Sequence, residues 1–226
     1  MRVQLSSPEI AEAMGQYLLG DRAASLEAFE KLSAKYPALP VFPLVLGNIK
    51  YSLGRLEEAC LSYKKAIELQ PDYGEAYFKL GVCLVRMGRL SEALNCFRKD
   101  AEKDVKGHVM SHYWMGLINS FLGDDTQSID AFTRLYAESP ESRLANFFLA
   151  QLYMKRNEHK KALALLQELL VLSPDFAEAH YLLGLAYGGL YKNFDAIRCF
   201  RKALELNPGD KRAQTELERY TEVPGL

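Results

Sequence analysis

The sequence predicts an all-α solenoid of six helical hairpins followed by one C-terminal helix. A repeat period of 34 residues, small residues that keep step with it, and helical spacing of apolar residues support this fold class. The period is clearest in five prolines separated by 34, 69, 34 and 34 residues, where 69 is two periods plus one inserted residue. These prolines are Pro37, Pro71, Pro140, Pro174 and Pro208.

The first helix of each predicted hairpin contains a slot for a very small residue. This slot holds Ala13, Gly47, Gly81, Gly116, Ala150 and Gly184. A second small slot follows twelve residues later, and a large residue comes one turn after that. These two positions hold Ser25, Ala59, Ala93, Ser128, Ala162 and Ala196, and then Phe29, Tyr63, Phe97, Phe132, Leu166 and Phe200. We expect two helix backbones to approach closely at the small residues, with the large residue filling the space beside them.

Glycine and proline mark the ends of the predicted helices. Gly54, Gly88 and Gly123 follow first helices, where a left-handed cap permits a turn, and each proline ends a second helix. Between these marks, stretches such as RLEEACLSYKKAIELQPD have the apolar spacing and charged outer face of a surface helix. In the sixth repeat LYKNF replaces the glycine-containing turn, which leaves the geometry of that turn open.

These patterns resemble the tetratricopeptide repeat, or TPR, family. The best-matching stretch is DYGEAYFKLGVCLVRMGRLSEALNCFRK, whose small and aromatic residues follow the 34-residue signature of that family. The resemblance implies a right-handed superhelix over 6–210 with repeats at about 6–39, 40–73, 74–108, 109–142, 143–176 and 177–210. Residues 211–221 are then expected to form a polar-faced helix that caps the last repeat.

The junction at 100–108 departs from the repeat pattern. Asp100 occupies a slot that is normally small and buried, and no proline occurs at Val105. Burying an unpaired carboxylate is costly, so we expect Asp100 to reach solvent or a cation. We also expect the solenoid to bend or hinge in this segment.

The TPR resemblance implies that the first helices line a concave groove through the second, fifth, ninth and twelfth slots of each repeat. In this sequence those slots are mostly apolar and aromatic, a surface of roughly 500–1,000 Å², which exceeds the usual exposed patch of a soluble monomer. We therefore expect an apolar or amphipathic peptide or helix to bind there. The alternative is that adjacent first helices bury some of these side chains. Including two neighbours of the slots, the predicted groove residues are Asn48, Tyr51, Phe78, Val82, Tyr113, Trp114, Leu117, Phe121, Phe147, Gln151, Met154 and Tyr181.

The groove does not match the TPR domains that bind acidic chaperone tails through a clamp of Lys, Asn and Arg. Asn48 has the right type, but Leu44 and Phe78 stand where cations would help. Lys79 and Arg86 lie only at the edges. An amphipathic helix or an extended apolar segment therefore suits the groove better than a carboxylate tail.

Composition argues against other classes of partner. The 226 residues carry a net charge of −1 with mixed signs, so the basic footprint of a nucleic-acid-binding protein is missing. No apolar run reaches the roughly 18 residues of a membrane span, and the N-terminus lacks a signal-peptide core. We therefore expect a soluble, cytoplasmic chain without direct membrane insertion. The four cysteines, Cys60, Cys83, Cys96 and Cys199, are expected to be reduced core residues, because they form no C-x-x-C pair.

We expect neither an enzyme, nor a cofactor, nor a metal site. His108 and His112 are four residues apart, but no third ligand accompanies them, and common phosphate-binding and hydrolase motifs are missing. The first hypothesis is a non-enzymatic adaptor or assembly scaffold. One alternative is a homo-oligomer, in which a terminal segment of one copy fills the groove of the next. Another is a regulatory TPR subunit of a separate enzyme, such as a glycosyltransferase.

Overall fold

The computed structural model describes residues 7–102 and 109–221, and it confirms an all-α fold within these ranges. Thirteen helices and no strands occur in this part of the chain. The helices are α1 (Pro8–Leu18), α2 (Arg22–Lys35), α3 (Val41–Ser52), α4 (Leu56–Leu69), α5 (Gly74–Arg86), α6 (Leu90–Ala101), α7 (Val109–Phe121), α8 (Asp125–Glu138), α9 (Arg143–Lys155), α10 (His159–Leu172), α11 (Ala177–Gly189), α12 (Asn193–Leu206) and α13 (Lys211–Thr221). Among the described residues, none of the helices is long and apolar enough to cross a membrane.

The chain divides into two compact units, Met1–Ile118 and Asn119–Leu226, here called unit 1 and unit 2. In unit 1 each helix from α1 to α6 packs against the next, and the first helices α3 and α5 also touch. In unit 2 the same holds from α8 to α13, with α9 touching α11. Both units are therefore built from consecutively packed helical hairpins. Because α7 is divided between the units, the count of six hairpins stays a prediction.

The glycine slot is filled by an aromatic ring. A Cβ atom at Gly81 would lie 2.7 Å from the Phe97 ring, and one at Gly184 would lie 2.6 Å from Phe200. Gly47 meets the Tyr63 ring in the same way. The large residue therefore fills the space beside these three glycines, as the repeat pattern predicts. A side chain at the slot would collide with the ring that fills the core.

The turns within the hairpins share one backbone feature, which recurs every 34 or 35 residues. Each contains a residue with positive φ, and these are Gly20, Gly54, Gly88, Gly123, Asn157 and Tyr191. The segment LYKNF therefore keeps the turn of the other repeats, with Tyr191 at φ 59° in place of glycine. The Tyr191 side chain is 91% exposed, so core packing offsets little of the steric cost of this conformation.

Asp100 is buried. Its side chain is 0% exposed, and the Ser111 hydroxyl donates a hydrogen bond to Asp100 Oδ2 at 2.5 Å. The expectation that Asp100 reaches solvent is wrong, because a serine on α7 partners the carboxylate inside unit 1. The alternative of a cation partner stays a prediction, and so does the bend predicted for 100–108, because residues 103–108 lie outside the described residues.

Helix α13 packs against the end of unit 2. Ala213 is buried against α12, and Leu217 and Tyr220 pack on the core of that unit. The Tyr220 ring lies 5.8 Å from the Phe200 ring, centroid to centroid. The inward face of this charged helix therefore covers apolar side chains of the preceding hairpin.

Candidate functional site

The candidate site in unit 1 is built by two first helices. Asn48 and Tyr51 lie one turn apart on α3, and Phe78 and Val82 lie one turn apart on α5, so each pair shares a helix face. All four side chains are half-buried. They line one cavity of about 230 Å³ whose complete lining is Tyr17, Asn48, Tyr51, Tyr63, Phe78, Lys79 and Val82.

A hydrogen bond orients the amide of Asn48. The Tyr63 hydroxyl donates to Asn48 Oδ1 at 3.0 Å, and the Tyr63 side chain is almost fully buried. Burial raises the pKa of Tyr63 above its usual range, which keeps the hydroxyl protonated as a donor. Because Oδ1 is occupied, the two N–H groups of Asn48 Nδ2 remain to donate to an acceptor in the cavity.

One cation lines this cavity, and a second lies over one of the rings that line it. The Arg86 guanidinium lies 4.8 Å from the centroid of the Tyr51 ring, and Lys79 lines the cavity wall. Within 7–102 and 109–221, neither Lys79 nor Arg86 forms an ion pair. The apolar surface expected from the sequence therefore has a positive rim at this point, and a stacked Arg can still present N–H donors.

Three predicted residues of α7 lie in unit 1, and one of them, Trp114, packs on the core of that unit. The Trp114 ring stacks on Phe97 with centroids 6.1 Å apart and planes 4° from parallel, and Tyr113 meets Trp114 edge-on at 5.8 Å. Tyr113, Trp114 and Leu117 are each half-buried. Trp114 therefore has a packing role on one face, and none of the three lines the cavity around Asn48.

The predicted residues of unit 2 are partly covered by their own chain. The Phe147 ring lies 5.5 Å from Phe148 and 5.3 Å from Phe176, centroid to centroid. Gln151 and Met154 are half-buried on the same helix, α9. Phe121 differs from them all, since its side chain is 80% exposed. Phe147, Gln151 and Met154 therefore lie on one helix, α9. Phe121 lines neither the cavity around Asn48 nor the cavity at Gln167 in unit 2.

Tyr181 lies between a core ring and a cation of α13. Its ring centroid is 6.0 Å from Phe200, and the Arg212 guanidinium lies 4.7 Å from that centroid. Arg212 is held in place by Glu178, which accepts two hydrogen bonds at 3.1 and 2.6 Å, and by Asp210 at 2.8 Å. Burial raises the pKa of Tyr181, and the hydrogen bond from Arg212 lowers the pKa of Asp210. This predicted groove residue is therefore covered on one side.

A larger cavity of about 770 Å³ lies in unit 2 between α10, α11 and α12, and none of the predicted groove residues is among the side chains that line it. Gln167 and Tyr187 form part of its wall and share a hydrogen bond at 3.2 Å. At the other wall stands Phe194, whose side chain is 92% exposed. The groove slots lie on first helices and therefore did not predict this surface, although the aromatic residue Phe194 in LYKNF was a signal for it.

Only one histidine of the predicted pair lies in the described part of the chain. His112 is buried on α7, and His108 lies outside the described residues. Over 7–102 and 109–221, no group of three or more His, Cys, Asp and Glu side chains is arranged to hold a metal ion.

Three TPR family models match the chain. A TPR repeat model matches 47–88 and 150–190, and two tetratricopeptide repeat models match 177–210 and 111–142. Together these matches cover more than half of the sequence.

Known proteins resemble the chain in sequence and in fold. Anaphase-promoting complex subunit 3 of Schizosaccharomyces pombe is 28% identical over 151 residues, which is 67% of this chain and 23% of that protein. Protein O-mannosyl-transferase TMTC3 of Homo sapiens is 26% identical over 176 residues, or 74% of this chain and 19% of that protein. The crystal structure of YrrB, described as a TPR protein with an unusual peptide-binding site, has a TM-score of 0.76 at 21% identity. It covers 84% of this chain and 98% of YrrB.

The chain spans less than a third of the length of each curated relative that it matches. The likeness to YrrB concerns the fold alone, whereas the repeat matches are matches of sequence. Hairpin packing, glycine slots and repeat matches all agree, and they support a role in protein–protein interaction. This chain belongs to the tetratricopeptide repeat family.

Proposed function

We propose that this chain is a non-enzymatic interaction scaffold that binds an amphipathic or apolar peptide on the first-helix face of unit 1. The observation that carries the proposal is the cavity around Asn48, where aromatic side chains surround one oriented amide. Such a combination of apolar surface and a few placed polar groups is typical of ligand sites.

Each group of residues at the cavity is assigned one contact with the peptide. An apolar side chain of the peptide packs against Tyr51, Phe78 and Val82, and Asn48 Nδ2 donates to a peptide carbonyl. Lys79 and Arg86 favour an acidic residue beside the apolar one, because both cations lack an ion pair in the described part of the chain. The peptide is therefore amphipathic, with a carboxylate adjacent to its apolar anchor.

The free energies of side-chain burial and of association indicate that binding requires several contacts and not one. Burying one large apolar side chain gains about 1.5–3 kcal/mol, while association consumes about 4–15 kcal/mol. A single anchor in the cavity is then insufficient for micromolar binding. The proposal therefore extends to Tyr113 and Leu117 in unit 1, and to Phe147, Gln151 and Met154 as a separate face in unit 2. We assign Trp114, Phe121 and Tyr181 smaller roles, because the first and last are packed and Phe121 stands alone.

A display library of random peptides tests the proposal. The full-length chain is the bait, and recovered peptides are synthesised and titrated by fluorescence anisotropy. We expect enriched peptides with an apolar residue beside an acidic one, and a loss of affinity of about tenfold or more in Phe78→Ala. The matched control is Phe194→Ala, which removes an exposed aromatic residue of unit 2.

Equal affinity for the wild type and Phe78→Ala, with unchanged circular dichroism, would remove unit 1 as the binding site. Failure to enrich any peptide would remove the peptide-binding proposal as a whole.

A second candidate function is a TPR region or subunit that serves a separate enzyme. The sequence likeness to TMTC3, which is named as a transferase, favours it. Purification of the native host complex, followed by a mannosyl-transfer assay with and without this chain, distinguishes the two. Self-assembly through a terminal segment stays a prediction, and concentration-dependent light scattering with and without residues 1–20 tests it. The cytoplasmic location also stays a prediction.

A further inference from the structure

Three sulfur atoms lie together inside unit 1, where α4 packs against α5. Cys60 Sγ is 3.3 Å from Cys83 Sγ and 3.7 Å from Met87 Sδ. The Cys83 thiol donates to the main-chain oxygen of Leu56 at 3.3 Å. The two thiol sulfurs are therefore in direct contact, while each thiol proton has an acceptor.

The two thiols belong to consecutive hairpins. Cys60 lies on α4 and Cys83 on α5, 23 residues later. Their side chains are 4% and 0% exposed, respectively. Of the remaining cysteines, Cys96 is half-buried on α6, and Cys199 belongs to unit 2. A bond between Cys60 and Cys83 would thus cross-link one hairpin to the next.

We propose that Cys60 and Cys83 form a dithiol oxidation site, at which a small peroxide produces a disulfide between α4 and α5. Structural thiols in a reduced core were the sequence expectation, and the contact between these two sulfurs adds a chemical capability to that role. The inference does not depend on peptide binding.

The chemistry balances with one peroxide. The Cys60 sulfur attacks a peroxide oxygen, the O–O bond breaks, and the departing oxygen takes the thiol proton and leaves as water. The Cys83 sulfur then attacks the resulting sulfenic sulfur, and the S–O bond breaks. The departing hydroxide takes the Cys83 proton and leaves as a second water. Two thiols are oxidised to a disulfide, and one hydrogen peroxide is reduced to two waters.

The burial of the two thiols indicates which of them reacts first. Burial raises the pKa of the Cys83 thiol to about 12, so Cys83 stays protonated in the resting state. Cys60 is the more exposed of the pair and reacts first, and Cys83 resolves the sulfenic acid across the short gap. Because so little of either sulfur is exposed, a small peroxide suits the site better than a bulky disulfide such as oxidised glutathione.

The disulfide is expected to stabilise unit 1. It closes a loop between residues 23 apart and so restricts the unfolded chain. For a loop of this length and a chain of this size, the melting temperature should rise by about 5–10 °C on oxidation and return on reduction with dithiothreitol.

Peroxide treatment of the full-length chain tests the proposal. The sample is quenched with catalase, denatured, alkylated and examined by intact-mass and peptide-mapping mass spectrometry. Of the four cysteines, two are expected to escape alkylation, in a peptide that joins Cys60 to Cys83. Before alkylation the intact mass falls by two hydrogens, and the melting temperature rises.

The matched control is the double variant Cys96→Ser with Cys199→Ser, which keeps the pair and should keep both the link and the thermal shift. Cys60→Ala and Cys83→Ala should lose both. If either alanine variant fails to fold, mapping of the double variant decides, because only the proposed pair remains in it. Four alkylated cysteines after peroxide, a link from Cys60 to Cys96, or over-oxidised Cys60 without a link would each overturn the proposal.

Discussion

Phe78 in unit 1 and Tyr181 in unit 2 occupy the same position of the repeat, yet the two rings have different surroundings. Each ring packs against a core ring. Centroid to centroid, Phe78 lies 5.8 Å from Phe97, and Tyr181 lies 6.0 Å from Phe200. Phe78 lines a cavity, whereas the Arg212 guanidinium covers Tyr181 at 4.7 Å. The repeat fixes the support beneath the ring, and the neighbouring segment determines whether the ring is available to a ligand.

The largest expected effect comes from removing the shared support. Phe97→Ala and Phe200→Ala should each destabilise their own unit by about 3–5 kcal/mol, because both rings are fully buried over a glycine. Urea unfolding followed by circular dichroism measures the loss. If one variant loses less than about 1 kcal/mol while the other loses several, the two supports are not equivalent and the comparison fails.

A smaller effect is expected from uncovering Tyr181. Arg212→Ala should lower the free energy of unfolding by only about 1 kcal/mol, because the Arg212 side chain is more than half exposed and such ion pairs are screened by solvent. Nitration of Tyr181, followed by mass spectrometry, should become several times faster. Arg134→Ala, which removes an exposed ion pair with Asp130 on α8, is the control and should leave that rate unchanged.

The same variant has a predictable pH dependence. The hydrogen bond from Arg212 lowers the pKa of Asp210 from its ordinary 3.8. A carboxyl with a lowered folded-state pKa contributes stability above its unfolded pKa and loses it as the pH falls through the folded value. The stability difference between the wild type and Arg212→Ala should therefore be complete at neutral pH and shrink below 3.8. A difference that stays constant down to about pH 2 would show that Asp210 is not the partner that matters.

The smallest effect concerns the turns. Tyr191→Gly should stabilise unit 2 by about 1 kcal/mol, which is a rise in melting temperature of about 2–4 °C, because glycine adopts positive φ without a steric penalty. Asn157→Gly should gain less, since asparagine tolerates this conformation better than tyrosine. A melting temperature lowered by Tyr191→Gly would mean that the exposed ring has contacts worth more than the backbone strain.

Much of the fold could be predicted from the sequence because its determinants are periodic. Gly81 and Phe97 recur at fixed spacing, and a helix converts such spacing into a shared face. Asp100 could not be predicted in this way, since its partner Ser111 lies eleven residues away on the next helix and follows no period. The proline marks did predict where the second helices end, as at Pro174 after α10.

The candidate site was predictable in part. The slot pattern selected Asn48, Tyr51, Phe78 and Val82, which line one cavity. It missed Tyr63 as a polar partner, although a tyrosine where other repeats carry phenylalanine or leucine was a signal that its hydroxyl has a role. No position of the repeat indicated that Arg212 would cover Tyr181. Arg212 follows the last repeat and belongs to α13. Periodicity reveals which side chains share a face, but it does not reveal what a non-repeating segment places on top of them.

The difference between Phe78 and Tyr181 is tested most directly by titrating one library-selected peptide against Phe78→Ala and Tyr181→Ala in parallel. We expect Phe78→Ala to weaken binding about tenfold or more and Tyr181→Ala to change it by less than about twofold. Equal losses in the two variants, or a larger loss in Tyr181→Ala, would contradict this expectation.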